Sequence, residues 1–416
     1  MEEIRVSHDG QPRSGTPVLR RINTAAVLEV ARGAAPRALR IAELAKLTGL
    51  TRPTVANAVE ALRDTGWVVQ REPDLGAPAM GRPALRYALN PRAAFVLGID
   101  IGPHAVAACV ADVTGQRCAL ERRTVPTAKP LDATVLLQVI DEATSAAVEA
   151  AGVRPGDISG IVAASPGIVD SPRGTVRIAP SVPGWPDLPF LSWLSSKYPC
   201  PAVVENDANA AAIEIAAGRE AVGETILALQ WGTRLGAGLI IEGRLHRGRS
   251  FAAGEIGFIA PSDSPSDTPL DSTASGPLEQ SIGADGIVQR AEDAARRSPN
   301  SHLAAALRAA DPDRRAVAVF DAAGRDPVAA AVVQEVAQQL ARAIAPVVLA
   351  LDPDVVVIGG GVARAGSPLT DAVSSELSQR VLSAPAVEVS SLVEDAVVAG
   401  AVRLALQEVW RRRMAL

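Results

Sequence analysis

Cysteine is scarce in this chain: Cys109, Cys118 and Cys200 are the only three in 416 residues, and none forms a Cys-x-x-Cys pair. An odd, widely spaced set in apolar surroundings excludes a disulfide scaffold and a cysteine-based zinc framework. It reads as reduced core residues of a cytoplasmic protein. Long hydrophobic runs are missing as well, since nowhere do about 18 apolar residues follow one another uninterrupted. The opening MEEIRVSHDGQPRSGTP is charged and polar, without the apolar stretch of an export signal. No membrane partner is therefore expected.

What is present is a long chain with ample burial: 416 residues, 48% hydrophobic, predict two or three domains. The net charge of −5 conceals an asymmetry. Residues 1–92 carry 14 Lys+Arg against 9 Asp+Glu, and residues 93–416 carry 27 against 37, which is +5 followed by −10. A small basic module ahead of a larger acidic body assigns any polyanionic partner to the N-terminal part.

Residues 1–16 are rich in Gly, Pro, Ser and charge, too poor in apolar side chains to offset the entropy of ordering, and read as a flexible arm. From residue 17 to 90 the pattern predicts three helices, at 24–33, 41–49 and 52–66, then two extended runs at 67–71 and 84–90. That order is a winged helix-turn-helix. Gly49 breaks the second helix, Leu50 anchors the turn, Thr51 is the expected N-cap, and Pro53 sits in the first turn, where its missing N–H is harmless. Val55, Val59 and Leu62 fall at i, i+4 and i+7 and must face a core, so Thr54, Asn57 and Ala61 point away. Arg52, Thr54 and Asn57 then form a candidate DNA-reading face, with Arg82 in the Gly/Pro-rich wing tip (72–83) as a phosphate or minor-groove contact. A winged helix that binds protein would share much of this pattern.

After residue 90, β-rich and Ala-rich helical segments alternate, the mark of an α/β fold, up to a closing helix at 394–413. At 201–218, PAVVENDANAAAIEIAAG places Asn206 and Asp207 between a strand end and a helix start, where side chains enter a crevice. The helix dipole is expected to keep Asp207 ionised as an acceptor, while Asn206 offers donor and acceptor to a polyol; a plain Asx helix cap would look the same. Gly232, Thr233, Gly236 and Gly238 lie in a turn between two apolar strands. A buried strand delivers Gly359, Gly360 and Gly361 to a helix start, a candidate adenosine wall or anion site. Hairpin turns alone also use such glycines.

Taken in order, Asp100 with Gly102, SPGIVD (165–170), ENDANAAA (205–212), GTRLGAG (232–238), AGEIG (253–257), GPLEQ (276–280) and VIGGGV (357–362) resemble the ROK family, in which sugar kinases and transcriptional repressors share an actin-like ATPase fold. A winged helix ending in GRPALRYALN ahead of such a body is similar to the regulator branch, the xylose- and N-acetylglucosamine-responsive repressors. The resemblance implies an α/β, two-lobed sugar-kinase-like body over 91–416, with the closing helix packed back on the first lobe. It makes Asn206, Asp207, Glu255 and Glu279 hydroxyl ligands of a sugar, with Asp207 in the kinase-base position. Asp100, Gly102, Gly232, Thr233, Gly236 and Gly359–Gly361 become the nucleotide site.

The departures from that family pattern bear on activity. Phe258 stands where the kinases have a His that grips the sugar and ligates zinc. The stretch PSDSPSDTPLDSTASGPLEQ has neither Cys nor His, so no metal site is expected. Pro103 and His104 replace a Gly-Thr pair of phosphate donors, and Arg234 replaces a small residue, which together argue against Mg-ATP and against catalysis. The expectation is a cytoplasmic, homodimeric or larger DNA-binding repressor of carbohydrate-metabolism genes, with operator DNA and a sugar or sugar derivative as partners, no cofactor, and Phe258 at the sugar site. The alternatives are an active ATP-dependent sugar kinase that also binds DNA, and a regulator without a small-molecule effector.

Overall fold

The computed structural model describes residues 15–72, 85–126, 133–219, 222–260, 275–393 and 395–415. Two compact units emerge: Met1–Phe95 with Asp112–Gln116 and Gln407–Leu416, and Val96–Ala111 with Arg117–Leu406.

In the first unit α1 (Gly15–Ala34), β1 (Leu39–Arg40), α2 (Ile41–Thr48), α3 (Arg52–Asp64), β2 (Val68–Arg71) and β3 (Arg86–Leu89) follow in that order. α1 reaches into the span read as a flexible arm; Pro17 lies in its first turn, where a missing N–H breaks no intrahelical bond. Gly49 ends α2 at φ +70°, and the Thr51 hydroxyl accepts from the Thr54 N–H at 3.4 Å to cap α3. Val55, Ala58, Val59 and Leu62 bury the inner side of α3. Among the described residues the strands pair antiparallel in the order β1-β3-β2, a winged helix. β1 escaped the sequence reading because two residues are too short to show alternation.

The C-terminal end of the closing helix belongs to this same unit. Trp410 packs on Trp67 with ring centroids 5.3 Å apart, beneath the Arg32 guanidinium, and its Nε1–H donates to the Val113 carbonyl at 3.3 Å. Arg411 binds Glu408, and Arg413 lies over Trp67. The basic run thus serves local packing.

The second unit opens with β4 (Phe95–Ile101), β5 (Ala105–Asp112), β6 (Arg117–Thr124), α4 (Ala133–Ala150), β7 (Ile158–Ser165), the ribbon β8 (Ile168–Asp170) with β9 (Thr175–Ile178), α5 (Phe190–Lys197), β10 (Ala202–Asn206) and α6 (Asp207–Ala217). A second lobe follows with β11 (Ile226–Trp231), β12 (Leu235–Ile241), β13 (Arg244–His246), α7 (Pro277–Ile282), α8 (Ala284–Arg297), α9 (His302–Ala309), α10 (Arg315–Ala323), α11 (Pro327–Leu351), β14 (Val355–Gly359), α12 (Ser367–Ser378) and β15 (Ala386–Val389); the closing helix α13 (Ala396–Met414) then lies against the first lobe, with Val402 at Gly98 of β4 and Gly400 at Ala210 of α6. Among the described residues each lobe has a five-stranded sheet, β6-β5-β4-β7-β10 and β13-β12-β11-β14-β15. Counted from its own first strand, each reads 3-2-1-4-5. This duplication was invisible as a sequence repeat because it is a repeat of hydrogen-bond topology, which many unrelated apolar strands satisfy.

The second-lobe core is built on Leu227, Leu229, Trp231, Phe320, Leu340 and Ile358. Only Cys109 of the three cysteines is buried; Cys118 is exposed and Cys200 half-buried, against the expectation of three core thiols. Cys118 lies on β6, at the sheet edge, where one face meets water.

Two glycines set how closely helices approach. At Gly400 of α13 an added Cβ would stand 1.8 Å from the Ala210 carbonyl of α6, and at Gly238 of β12 it would meet Ala212 Cβ at 2.4 Å. Backbone-to-backbone contact at Gly400 leaves nothing flexible to give way. Gly400→Ala should therefore lower stability by about 1–3 kcal/mol despite the better helix propensity of alanine. Gly33→Ala, where a Cβ meets nothing within 4 Å, should be neutral or slightly stabilising. Denaturant unfolding of the two variants checks both signs.

Candidate functional site

The β10–α6 junction is the centre of the site. Asn206 is the N-cap of α6: its Oδ1 accepts from the Asn209 N–H at 2.9 Å, and its Nδ2 donates to the Gly167 carbonyl at 2.9 Å and to Asp207 Oδ1 at 3.1 Å. The Asx-cap reading of Asn206 therefore describes its geometry directly. Asp207 Oδ1 also accepts from the Ala208 N–H at 2.8 Å. Beneath both lies a residue that the sequence reading passed over. Glu205, buried, takes the Arg247 guanidinium at 2.9 and 2.6 Å on one oxygen, and the Asn206 N–H and Asn209 Nδ2 on the other. Its position one residue before Asn206 was the available signal.

A cavity of about 800 Å³ opens in front of the junction, within the usual size of small-molecule sites. Asp100, Gly102, Asn206, Asp207, Gly232, Thr233, Gly236, Glu255, Glu279, Gly360 and Gly361 all line it, so distant segments of sequence converge there. Gly359 and Phe258 are not among the lining residues. Gly359 ends β14 with its Cα against the Gln230 side chain, behind the wall. Phe258 closes the short turn Ile256–Phe258, its backbone packed close under Gly276.

Electrostatics in the cavity run against one expectation. Burial pushes the Asp207 carboxyl above the ordinary range; the Ala208 N–H and Arg234 pull it down, and Glu279 adds to the rise. Desolvation beside other carboxylates thus opposes the lowering expected from the helix start. Glu255 is pushed up to about 7, by burial first and then by the Asp207 charge, with Arg234 opposing. Asp100 also rises to about 7 for the same two reasons, with Arg122 opposing. Glu279 is held by Arg234 Nε and the Leu235 N–H, both at 3.0 Å to Oε2, while its buried Oε1 has no hydrogen-bond partner.

The two hairpins expected to face phosphate meet one another. Gly102 N–H closes the first onto the Ala105 carbonyl at 3.0 Å, and His104 Nε2 lies 3.2 Å from Thr233 Oγ1 of the second. Pro103 offers no N–H in that turn. Gly238 is required by the approach of α6, as its Ala212 contact shows, which is a packing reason for a glycine in this turn.

In the first unit Arg52 and Asn57 are exposed on α3. Thr54 is half-buried, and its hydroxyl lies 2.8 Å from that of Thr51, so it supports the cap. Arg82 and most of the wing tip lie outside the described residues, as do residues 1–14 and 261–274.

Comparison with known proteins gives two family matches: the ROK family over residues 96–408 and the IclR helix-turn-helix domain over 26–72. A xylose repressor of Caldicellulosiruptor bescii is 30% identical over 220 residues, 52% of this chain and 53% of that protein. A glucokinase of Streptomyces coelicolor is 34% identical over 165 residues, 39% and 49% of the two chains. The chain thus spans about half the length of these curated relatives. Among solved structures, a ROK family glucokinase from Streptomyces griseus in complex with glucose and AMPPNP aligns at 28% identity and TM-score 0.64, over 75% of this chain and 99% of the other. A ROK family transcriptional regulator, a homolog of the E. coli MLC protein, shares the fold over 95% and 98% of the chains, at 21% identity and TM-score 0.72. The ROK match runs through both five-stranded sheets and every carboxylate of the cavity, and the chain belongs to the ROK family.

Proposed function

We propose that this chain is a DNA-binding transcriptional repressor of carbohydrate-metabolism genes whose ROK body binds a sugar or sugar derivative as effector and does not phosphorylate it. The observation that carries this reading is the union, in one chain, of a winged helix with Arg52 and Asn57 exposed on α3 and a cavity lined by Asp100, Asp207, Glu255 and Glu279. Asn57 can pair with an adenine edge and Arg52 with a phosphate. Two copies would place two such helices one DNA turn apart, and effector binding would alter that spacing through lobe closure. The xylose repressors among the relatives agree with this reading.

Glu279 and Asp207 both line the cavity; the buried Oε1 of Glu279 has no hydrogen-bond partner among the described residues, and Asp207 holds a second oxygen beyond the one bound to the Ala208 N–H. Carboxylate acceptors on a concave wall suit hydroxyl donors. The family's zinc and nucleotide fit poorly: Phe258 has no ligand atom, and Pro103 and the His104–Thr233 contact stand where phosphate donors are needed. A second reading, a sugar kinase that also binds DNA, is favoured by the position of Asp207 on the cavity wall, where its carboxylate could accept a hydroxyl proton.

In electrophoretic mobility shifts with the operator, Asn57→Ala should cost about 1–3 kcal/mol and relax sequence preference, whereas Arg52→Ala should weaken all sequences alike and lower the salt slope by about 1. Intact affinity in both variants would show that α3 is not the reading helix. In a coupled assay with ATP and a sugar panel no turnover is expected; turnover abolished by Asp207→Asn would establish the kinase instead.

The raised carboxyls also set a pH dependence. Between their ordinary values and about 7, Glu255 and Asp100 hold protons in the folded protein that the unfolded chain has released. Stability without effector therefore falls as pH rises from about 5 to about 7.5, by at most about 3 kcal/mol for Glu255 alone. Glu255→Gln should flatten that slope in thermal melts. Because hydroxyl donors favour ionised acceptors, the stabilisation by a bound sugar should grow over the same window.

A further inference from the structure

The cavity extends well beyond its carboxylates. Its other wall is made by Val288 of α8, Ala316 and Val317 of α10, Val362 and Val393. Val317, Ala316 and Val362 are buried members of the second-lobe core, and Val288 and Val393 pack against it. Ala316, Val317 and Val362 are already buried, so the apolar surface still open to the cavity is that of the half-buried Val288, Val393 and Val397, which is favourable to cover with an apolar group.

A nucleoside triphosphate matches the lining poorly. Asp100, Asp207, Glu255, Glu279 and Asp285 face only Arg122, Arg234 and Arg364 across the cavity. Arg234 is committed to Glu279, and Arg122 to Asp395. Of the turn residues that could donate to phosphate, Pro103 has no N–H, and His104 and Thr233 hydrogen-bond to one another. A bare monosaccharide would satisfy the carboxylates and leave Val288 and Val393 half-exposed.

We infer that the cavity takes a neutral two-part ligand, a glycoside whose sugar hydroxyls meet Asp207, Glu255 and Glu279 and whose apolar aglycone covers the half-buried Val288 and Val393. This inference rests on the proposed role of the carboxylates as sugar acceptors and adds the class of effector. Desolvation of both partners at the valine wall supplies the extra affinity, and the aglycone, absent from the free sugar, supplies the specificity.

The test uses the full-length chain with glucose, xylose and N-acetylglucosamine, the 4-nitrophenyl β-glycoside of each, and Mg-ATP, read by isothermal titration and thermal shift. At least one glycoside should bind ten times or more tighter than its parent sugar. That advantage should vanish in Val288→Arg while the parent sugar still binds. Val288→Asn, a milder change of the same wall, should reduce the advantage part-way and guards against misfolding of the arginine variant. Equal affinity for sugar and glycoside, or saturable Mg-ATP binding that Val288→Arg abolishes, overturns the glycoside assignment and leaves the sugar site standing. Failure of every sugar and glycoside to bind overturns both.

Discussion

A carboxylate can be buried in a protein interior only with a cation and hydrogen-bond donors around it, and Glu205 meets that condition at the point from which the body is organised. Its two oxygens collect the Arg247 guanidinium, Asn209 Nδ2 and the Asn206 N–H. The first partner comes from the segment after β13 in the second lobe, the others from the β10–α6 junction in the first. One buried ion pair thus ties the lobes together immediately behind Asn206 and Asp207. Removing the partly exposed Arg247 would leave the buried Glu205 carboxylate charged and dry, a destabilising change. The orientation of the junction, and of whatever the cavity binds, depends on that constraint.

In front of the junction the balance is reversed: carboxylates outnumber their cations. Arg234 pairs with Glu279 and also lowers the cost of ionising Asp207 and Glu255. Read in the sequence alone, Arg234 was a misfit in a glycine turn; in the structure it is the cation that lets three acids share one wall. The raised Glu255 and Asp100 show that it does so incompletely, which keeps the wall sensitive to pH near neutrality. Opposite them the valines of the second-lobe core face the same space, so the cavity combines acceptors and apolar surface with few groups that attract anions.

Much of this organisation was legible in the residues. Val55, Val59 and Leu62 placed the inner side of α3, Thr51 and Pro53 its start, and Gly49 the end of α2, because helix periodicity and capping are local. The acids and glycines of the cavity were legible from the order of their motifs. Phe258 and Gly359 adjoin lining residues without lining the cavity themselves, because adjacency in sequence to a site residue does not decide which side of a wall a residue occupies. The rise at Asp207 was not legible because desolvation is a property of everything packed around a group, including Glu279 from a distant segment.

The local chemistry of the chain by itself determined the winged helix, the alternation of strand and helix in the body and the set of polar residues at the crevice. These follow from spacing, capping and charge within a few residues of one another. Only the tertiary structure decided that Arg247 answers Glu205, that His104 meets Thr233, that Trp410 at the chain's far end packs on Trp67, and that a valine wall stands in the same cavity as the carboxylates. Each of those depends on which distant surfaces the sheets and helices bring within a few ångströms. Long-range packing selects that arrangement from many compatible with the same local pattern.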